Sequence, residues 1–404
     1  MQTLLKNKNI ILAISGGIAA YKTPILVREL IKQGANVRVV MTEAAKQFVT
    51  KLALETVSNY PVIDDVFNLP VNLKTWHIEY SEWADLIIFA PATVNTINKI
   101  ASGIADNPVT ILACAARKKK LFVPAADMYM YNNPIFQENL IKLETLGHYV
   151  LPAEEGFLAS GLSGIGRMPE IDKIIDATKI IVMNYQKDLC DKKILVTAGP
   201  TYEDIDPVRY IGNRSSGKMG YEIAKAAYLR GANVTLITGP TSLNIYPEIK
   251  RINVRSAIEM KESLINHIQN HDVLIMAAAV ADFRPVNVSD KKIKKDNNFN
   301  FIIELEENPD ILFEINKFTE ENNIKIKKIG FALETDDELN NAKKKLNKKN
   351  LDMIVLNSLN DKNSGFEFDT NSITIIRKNS DVIAKFPLSL KFDIANIILS
   401  KIYE

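Results

Sequence analysis

Cysteine is scarce in this sequence. There are two in 404 residues, Cys114 and Cys190, too few for a disulfide framework or a zinc site. Cys114 falls in the apolar run 111–116 and reads as a buried helix residue. Net charge is nearly absent as well. At +2 it points to no nucleic acid, membrane or other partner. The lysine runs at 117–120, 291–295 and 343–349 are local, and they lack the interspersed aromatics that stack on bases. No long hydrophobic run opens the chain. The five apolar residues 10–14 are too few for a signal-peptide core or a membrane span, so the expected location is cytoplasmic. Two nucleotide fingerprints are also missing. No G-x-G-x-x-G follows the first strand-like run, which weakens any dinucleotide reading. Gly212 and Gly217-Lys218 match the spacing of a P-loop, but Met219 stands where a Ser or Thr should meet Mg²⁺.

What is present reads as an ordinary soluble globular chain, 47% hydrophobic and 24% charged, long enough for two or three domains. Residues 10–14 form a buried parallel strand. Ser15, Gly16 and Gly17 turn it into a helix reaching about residue 33, and a second strand spans 37–41. A short glycine turn at a helix N-terminus suits one phosphate. Strand 86–90 ends in Pro91, Ala92 and Thr93, and strand 121–123 runs into Asp127. Ligands of open α/β sheets bind beyond the carboxyl ends of strands, so Ser15, Thr42, Pro91, Ala92, Thr93 and Asp127 share one rim. A helix over 134–146 and a short strand over 149–151 precede a flap carrying Gly156, Gly161, Gly164 and Gly166. A closing helix over 171–183 and a polar linker over 184–192 end the first half.

The pattern then restarts. Gly-Ala-Asn-Val ends the first crossover at 34–37 and the second at 231–234. The second crossover is longer by roughly 14 residues, placed in its first strand-to-helix loop. The simplest reading is α/β, with two tandem doubly wound domains of mostly parallel strands over 1–190 and 191–404.

That longer loop, DPVRYIGNRSSGKMG at 206–220, lies between a strand at 194–197 and a helix at 221–230, with no clear strand of its own at 208–211. Such a loop offers backbone N–H groups and a positive dipole end to an anion. Ser215, Ser216, Gly217, Lys218, Arg214 and Asn213 suit a phosphate together with a second polar group. The plainer alternative is a helix N-cap at Ser215 or Ser216. Further strands are expected at 273–277, 299–305, 326–331 and 353–356. Asn308, Pro309 and Asp310 open a helix, a lysine-rich helix follows, and a terminal helix spans 389–403.

Taken in order, these segments resemble one family over essentially the whole chain: the bacterial bifunctional phosphopantothenoylcysteine decarboxylase/phosphopantothenate–cysteine ligases of coenzyme A biosynthesis. In the first half the likeness rests on SGGIAAYK (15–22), MTEAA (41–45), HIEY (77–80), APAT (90–93), GIADN (103–107) and GRM (166–168). In the second it rests on TAGPTYEDIDPVRYIGNRSSGKMG (197–220), AAAVADFRP (277–285), KKIKK (291–295), ENPDIL (307–312), GFALET (330–335) and NKKNLDMIV (347–355). For the second half the resemblance implies a ligase. The carboxylate of 4′-phosphopantothenate attacks the α-phosphate of CTP, pyrophosphate leaves, and cysteine takes the acyl group. It implies that Lys292 neutralises charge and Asn213 binds the acyl-cytidylate carbonyl. Asp282 would hold the nucleotide, with Mg²⁺. Met276, Ala277 and Ala278 would flank the base, and Asn308, Pro309, Asp310, Ile311, Phe331, Lys345 and Lys349 would supply further CTP contacts. Spacing alone makes Lys345 and Lys349 an exposed helix face, and makes Asp282 as good a helix cap as a ligand.

For the first half the resemblance implies an FMN-dependent decarboxylase with His77 in its active site. It also implies small-molecule substrates and homo-oligomers, as decarboxylase trimers and ligase dimers. The chain departs from the family at two places. Where the family has PAMN, this chain has Pro124-Ala125-Ala126-Asp127, and where it has a flap cysteine, this chain has Ser160. A serine is a far weaker acid than a thiol of pKa about 8.5. An ionised Asp127 about 4 Å from a substrate carboxylate would be repelled by roughly 4 kcal/mol at a dielectric near 20. A protonated Asp127, its pKa raised by burial and like charge, resolves both difficulties and becomes the acid. Two alternatives stand beside the bifunctional reading. One is a ligase whose flavin-binding half serves only assembly or regulation. The other is a nicotinamide oxidoreductase, disfavoured by the missing glycine fingerprint and by the lack of a suitably placed Tyr-x-x-x-Lys pair.

Overall fold

The structure is a computed structural model describing residues 3–67, 75–185, 187–294, 302–334, 337–358, 365, 368–378, 380 and 383–404. The chain separates into two compact units, Thr3–Gln186 and Lys187–Glu404.

In the first unit, β1 (Asn9–Ile14), β2 (Asn36–Met41), β3 (Leu86–Ala92), β4 (Lys120–Pro124) and β5 (Tyr149–Val150) form a parallel sheet in the order β2-β1-β3-β4-β5. β1 and β3 read as unbroken apolar runs because helices cover both faces of such a sheet, and all seven residues of β3 are buried. The helices are α1 (Thr23–Lys32), α2 (Lys51–Ser58), α3 (Trp76–Trp83), α4 (Val94–Ala101), α5 (Pro108–Ala115), α6 (Met128–Tyr131), α7 (Pro134–Thr145) and α8 (Ile171–Val182). The glycine-rich flap is an antiparallel hairpin of β6 (Glu154–Phe157) and β7 (Ser163–Arg167). Cys114 corrects the expectation of burial. It lies on α5, but Val109, Leu112 and Ala113 form the inward face and the thiol is exposed.

The second unit is built on β8 (Lys193–Ala198), β9 (Tyr202–Asp204), β10 (Tyr210–Gly212), β11 (Asn233–Thr238), β12 (Lys250–Asn253), β13 (Val273–Met276), β14 (Phe283–Pro285), β15 (Leu305–Glu307), β16 (Lys327–Glu334), β17 (Met353–Ser358), β18 (Thr370–Arg377) and β19 (Ile383–Leu390). Its main sheet runs β12-β11-β8-β13-β16-β17-β18-β19. The first six strands are parallel, and the last two are added antiparallel. Around it pack α9 (Lys218–Leu229), α10 (Ala257–His267), α11 (Ile311–Glu321), α12 (Glu338–Lys348) and α13 (Lys391–Tyr403).

The long loop after β8 is not irregular as expected. It folds back as the antiparallel pair β9–β10, with Tyr202 and Tyr210 stacked at 3.7 Å between ring centres. The expected strand at 299–305 is realised only as β15, and residues 299–301 and Lys295 lie outside the described residues. No helix among the described residues is long and apolar enough to cross a membrane. In each sheet the strand order reverses once, between β1 and β3 and between β8 and β13. A crevice at the carboxyl ends of the strands is built into such a reversal.

Candidate active sites at the two strand-order reversals

In the first unit the crevice begins at Ser15, which is 1% exposed. Its Oγ donates to the Pro91 carbonyl at 2.6 Å and accepts from the Thr93 N–H at 2.9 Å. The only hydroxyl proton of Ser15 is therefore spent on joining the ends of β1 and β3, and the side chain shapes the rim. Gly16 and Gly17 carry the turn into a 3-10 segment, Ile18–Lys22, whose N-terminus has no side-chain cap. Its first N–H groups are the kind that meet an anion. Thr42 caps the turn after β2 through the Ala45 N–H, and Thr93 caps α4 through the Thr96 N–H. Pro91 and Ala92 are buried in the β3 wall. His77 sits half-buried on α3, its ring edge-on to Trp76 at 5.9 Å.

The two positions that depart from the family meet each other. Ser160, in the turn of the flap, donates to Asp127 Oδ2 at 2.5 Å. Asp127 is the N-cap of α6, and its Oδ1 accepts from the Tyr129 N–H at 3.2 Å. The carboxyl group is half-buried rather than buried, and each oxygen has a donor, the inventory of a carboxylate. The flap reaches this loop because β7 lies directly on it. The Ala126 N–H bonds the Gly166 carbonyl at 3.0 Å, and a Cβ on Gly164 would come within 2.3 Å of Met128 Sδ.

In the second unit a cavity of about 730 Å³ opens beyond the end of β13, with β16 and β17 contributing to its lining. One wall is the start of α9. Gly217 is its N-cap, left-handed at φ +78° with no side-chain cap, and a Cβ there would stand 3.1 Å from the Gly199 backbone. Ser215 and Ser216 are therefore not the expected caps. Ser215 Oγ instead accepts from the Gly217 N–H at 3.3 Å, and Lys218 pairs with Asp369 at 2.7 Å. The cavity is also lined by Met276, Ala277 and Ala278 after β13, by Asp282, by Asn308, Pro309, Asp310 and Ile311 at the start of α11, and by Phe331 on β16. Asp282 precedes β14 and caps no helix, which removes that alternative. Asn213 reaches the cavity, but its amide hydrogens go to the carbonyls of Ala279 (3.2 Å) and Val280 (2.9 Å).

Lys345 and Lys349 correct the reading from spacing. They lie four apart, Lys345 on α12 and Lys349 at its C-cap, and both line the cavity, while Lys343, Lys344 and Lys348 are exposed. Lys345 donates to the Phe331 carbonyl at 2.9 Å, and Lys349, its pKa lowered by burial, pairs with Asp310. Lys292 is exposed and does not line the cavity. Its loop is tied down beside it, where the Ile293 N–H donates to Asp206 Oδ2 at 3.1 Å.

Sequence reasoning missed Asn357, Asn371 and Lys391, polar residues that also line the cavity. Asn371 donates to Asn357 Oδ1 at 3.0 Å. Lys391 is 4% exposed, and burial, with the neighbouring Lys218 cation, pushes its amine down to about 8. One signal was available: a lysine opening the terminal helix.

Two family models match the chain: a flavoprotein family over residues 1–183, and the C-terminal domain of the DNA/pantothenate metabolism flavoproteins over 189–404. A coenzyme A biosynthesis bifunctional protein CoaBC from Borreliella burgdorferi is 42% identical over 401 residues, covering 98% of this chain and 100% of the relative. A cysteine/cysteine sulfinic acid decarboxylase from an unknown prokaryotic organism is 44% identical over 360 residues, covering 88% of this chain and 98% of the relative. The crystal structure of the C-terminal domain of a coenzyme A biosynthesis bifunctional protein CoaBC is 43% identical, with a TM-score of 0.45, over 54% of this chain and 96% of that one.

Proposed function

The chain belongs to the family of bifunctional coenzyme A biosynthesis proteins, enzymes with a flavoprotein decarboxylase half followed by a ligase half, and from that premise we propose how its own residues divide the work. The second unit ligates cysteine to 4′-phosphopantothenate at the expense of CTP. The first unit decarboxylates the product to 4′-phosphopantetheine. The observation that carries the ligase assignment is one cavity lined by every ligase residue expected from sequence except Lys292 and Arg214.

Charge in acyl-phosphate formation builds on phosphoryl oxygens, so fixed cations and N–H groups supply most of the stabilisation. The open end of α9, with Ser215, Ser216, Gly217 and Lys218, receives the phosphates. Met276, Ala277, Ala278, Ile311 and Phe331 sandwich the base, while Lys345 and Lys349 approach its polar edge. Lys292, on its tethered loop, closes over the substrate carboxylate. Asn213 holds the loop at Ala279 and Val280, and binds the acyl-cytidylate carbonyl by turning an amide N–H from one of those carbonyls to the intermediate. No cluster of three metal-ligating side chains exists among the described residues. A single carboxylate, Asp282, fits a Mg²⁺ that arrives on the triphosphate and keeps most of its water.

In the first unit the uncapped turn after Ser15 fits a flavin phosphate, with Thr42 and Thr93 at the adjoining strand ends. Bound there, FMN would supply the redox chemistry that makes carbon dioxide loss easy. Asp127 is the proton donor to the decarboxylated product, positioned by Ser160 at its Oδ2 and by the Tyr129 N–H at its Oδ1. His77 orients the substrate. A cytoplasmic location and homo-oligomers, as trimers through the first unit and dimers through the second, complete the proposal. Native mass measurement checks the assembly.

Incubating the purified chain with CTP, cysteine and 4′-phosphopantothenate, and following pyrophosphate and carbon dioxide separately, tests both halves. Both should be released, carbon dioxide only with FMN bound. Release of pyrophosphate alone would reduce the first half to a binding module, and release of neither would end the assignment.

A further inference from the structure

One buried cation in the ligase cavity has no part in the scheme above. Lys391 begins α13 and is almost entirely enclosed, yet it lines the same cavity as Gly217 and Lys218. Its Nζ donates to the Gly365 carbonyl at 2.9 Å. Enclosing an ammonium group is costly unless charge or dipoles meet it. The charged groups that face it come from two sides. From α9 come Lys218, which repels it, and Glu222, which is paired with Lys225 at 3.0 Å. From the residue before β18 comes Asp369, paired with Lys218 at 2.7 Å. Two amines are thus held close together at the open end of a twelve-residue helix, where backbone N–H groups already point.

We propose that Lys391 and Lys218 form the subsite for the terminal phosphates of the nucleotide and for the pyrophosphate it releases. The proposal rests on the nucleotide-dependent reading of this cavity and deepens it. An amine that is both desolvated and repelled by a like charge gains most from an arriving polyanion, which relieves both penalties at once. In the activation step an oxygen of the substrate carboxylate bonds to the α-phosphorus. The bond from that phosphorus to the pyrophosphate oxygen breaks, and its electron pair stays on that oxygen. Two ammonium groups at that position meet the developing charge without any proton having to move.

The arrangement has a pH signature. Below about 8 the Lys391 amine is charged before the anion binds. Above it, binding must take up a proton, so affinity for the polyanion falls as pH rises.

The test uses inorganic pyrophosphate and cytidine monophosphate as probes, by calorimetry and by inhibition of CTP-dependent ligation, on the full chain. Lys391→Met should weaken pyrophosphate binding roughly tenfold, the worth of one charge-assisted hydrogen bond, and leave the monophosphate within about twofold. Lys391→Arg should keep most of the pyrophosphate affinity. The wild type should lose more pyrophosphate affinity than Lys391→Met between about pH 7 and about pH 9. Equal weakening of both probes, or of neither, would overturn the subsite. If Lys391→Met does not fold, the arginine variant and the wild-type pH profile decide. If the wild type performs no CTP-dependent ligation, the nucleotide reading fails, while pyrophosphate calorimetry still judges the subsite.

Discussion

Asp127 and Ser160 were separate anomalies in the sequence, thirty-odd positions apart, and the fold makes them one hydrogen-bonded pair. That pairing sharpens a prediction. Asp127→Asn restores the family's amide but removes the proton carrier. Formation of 4′-phosphopantetheine should fall by about 10²-fold, with CTP-dependent pyrophosphate release unchanged. Full retention of 4′-phosphopantetheine formation would remove Asp127 as the acid. A second residue predicts a pH effect on stability. His148, beside Phe122 at 5.9 Å between ring centres, has its pKa pushed down to about 4 by burial and by Lys120. The unfolded chain takes up this proton below about 6.5 and the folded chain does not. Stability is therefore intact above about 6.5 and erodes as pH falls toward about 4. Partial exposure discounts the effect. The melting temperature of the wild type should fall across that window by about 2–4 °C more than that of His148→Asn. At this scale, residues inside contiguous motifs were legible. Lys391 was not, because its role depends on a late helix packing beside an early loop.

At the scale of elements, the buried parallel strands were the clearest signal. β3 and β13 are apolar throughout, and β1 and β8 are apolar but for Asn9, Lys193 and Thr197, because both faces are covered, so no alternation competes with the reading. The β9–β10 pair was invisible because three-residue strands carry no period, and their partnership rests on a tyrosine stack between residues eight apart. α12 was legible as a helix but not as a site, since a lysine repeat has the same period on its wet face and on its lining face. The lining face is testable. Lys345→Ala and Lys349→Ala should each raise the KM for CTP about 5- to 10-fold, as loss of a charged contact does, and Lys344→Ala should leave it unchanged. The start of α9 makes a further demand. Gly217→Ala forces a side chain into the left-handed region against Gly199, costing roughly 1–2 kcal/mol. A calorimetric scan should show the second unit melting lower, and nucleotide titration should show weaker binding.

At the scale of the molecule, the restart of the strand pattern after the polar linker made the tandem architecture readable, while the antiparallel extension by β18 and β19 was not foreseen. β19 carries Pro387, a residue that sheet edges tolerate. Two units with separate sheets and cores should respond separately to ligands. In calorimetry of the full chain, FMN should raise one transition and CTP the other, each by RT ln(1 + [L]/Kd). A shared shift with either ligand would contradict that independence. The walls of the ligase cavity come from both ends of the second unit, since Gly217 belongs to its first helix and Lys391 to its last. A ribosome must therefore release nearly all of this half before the two walls of the cavity can meet.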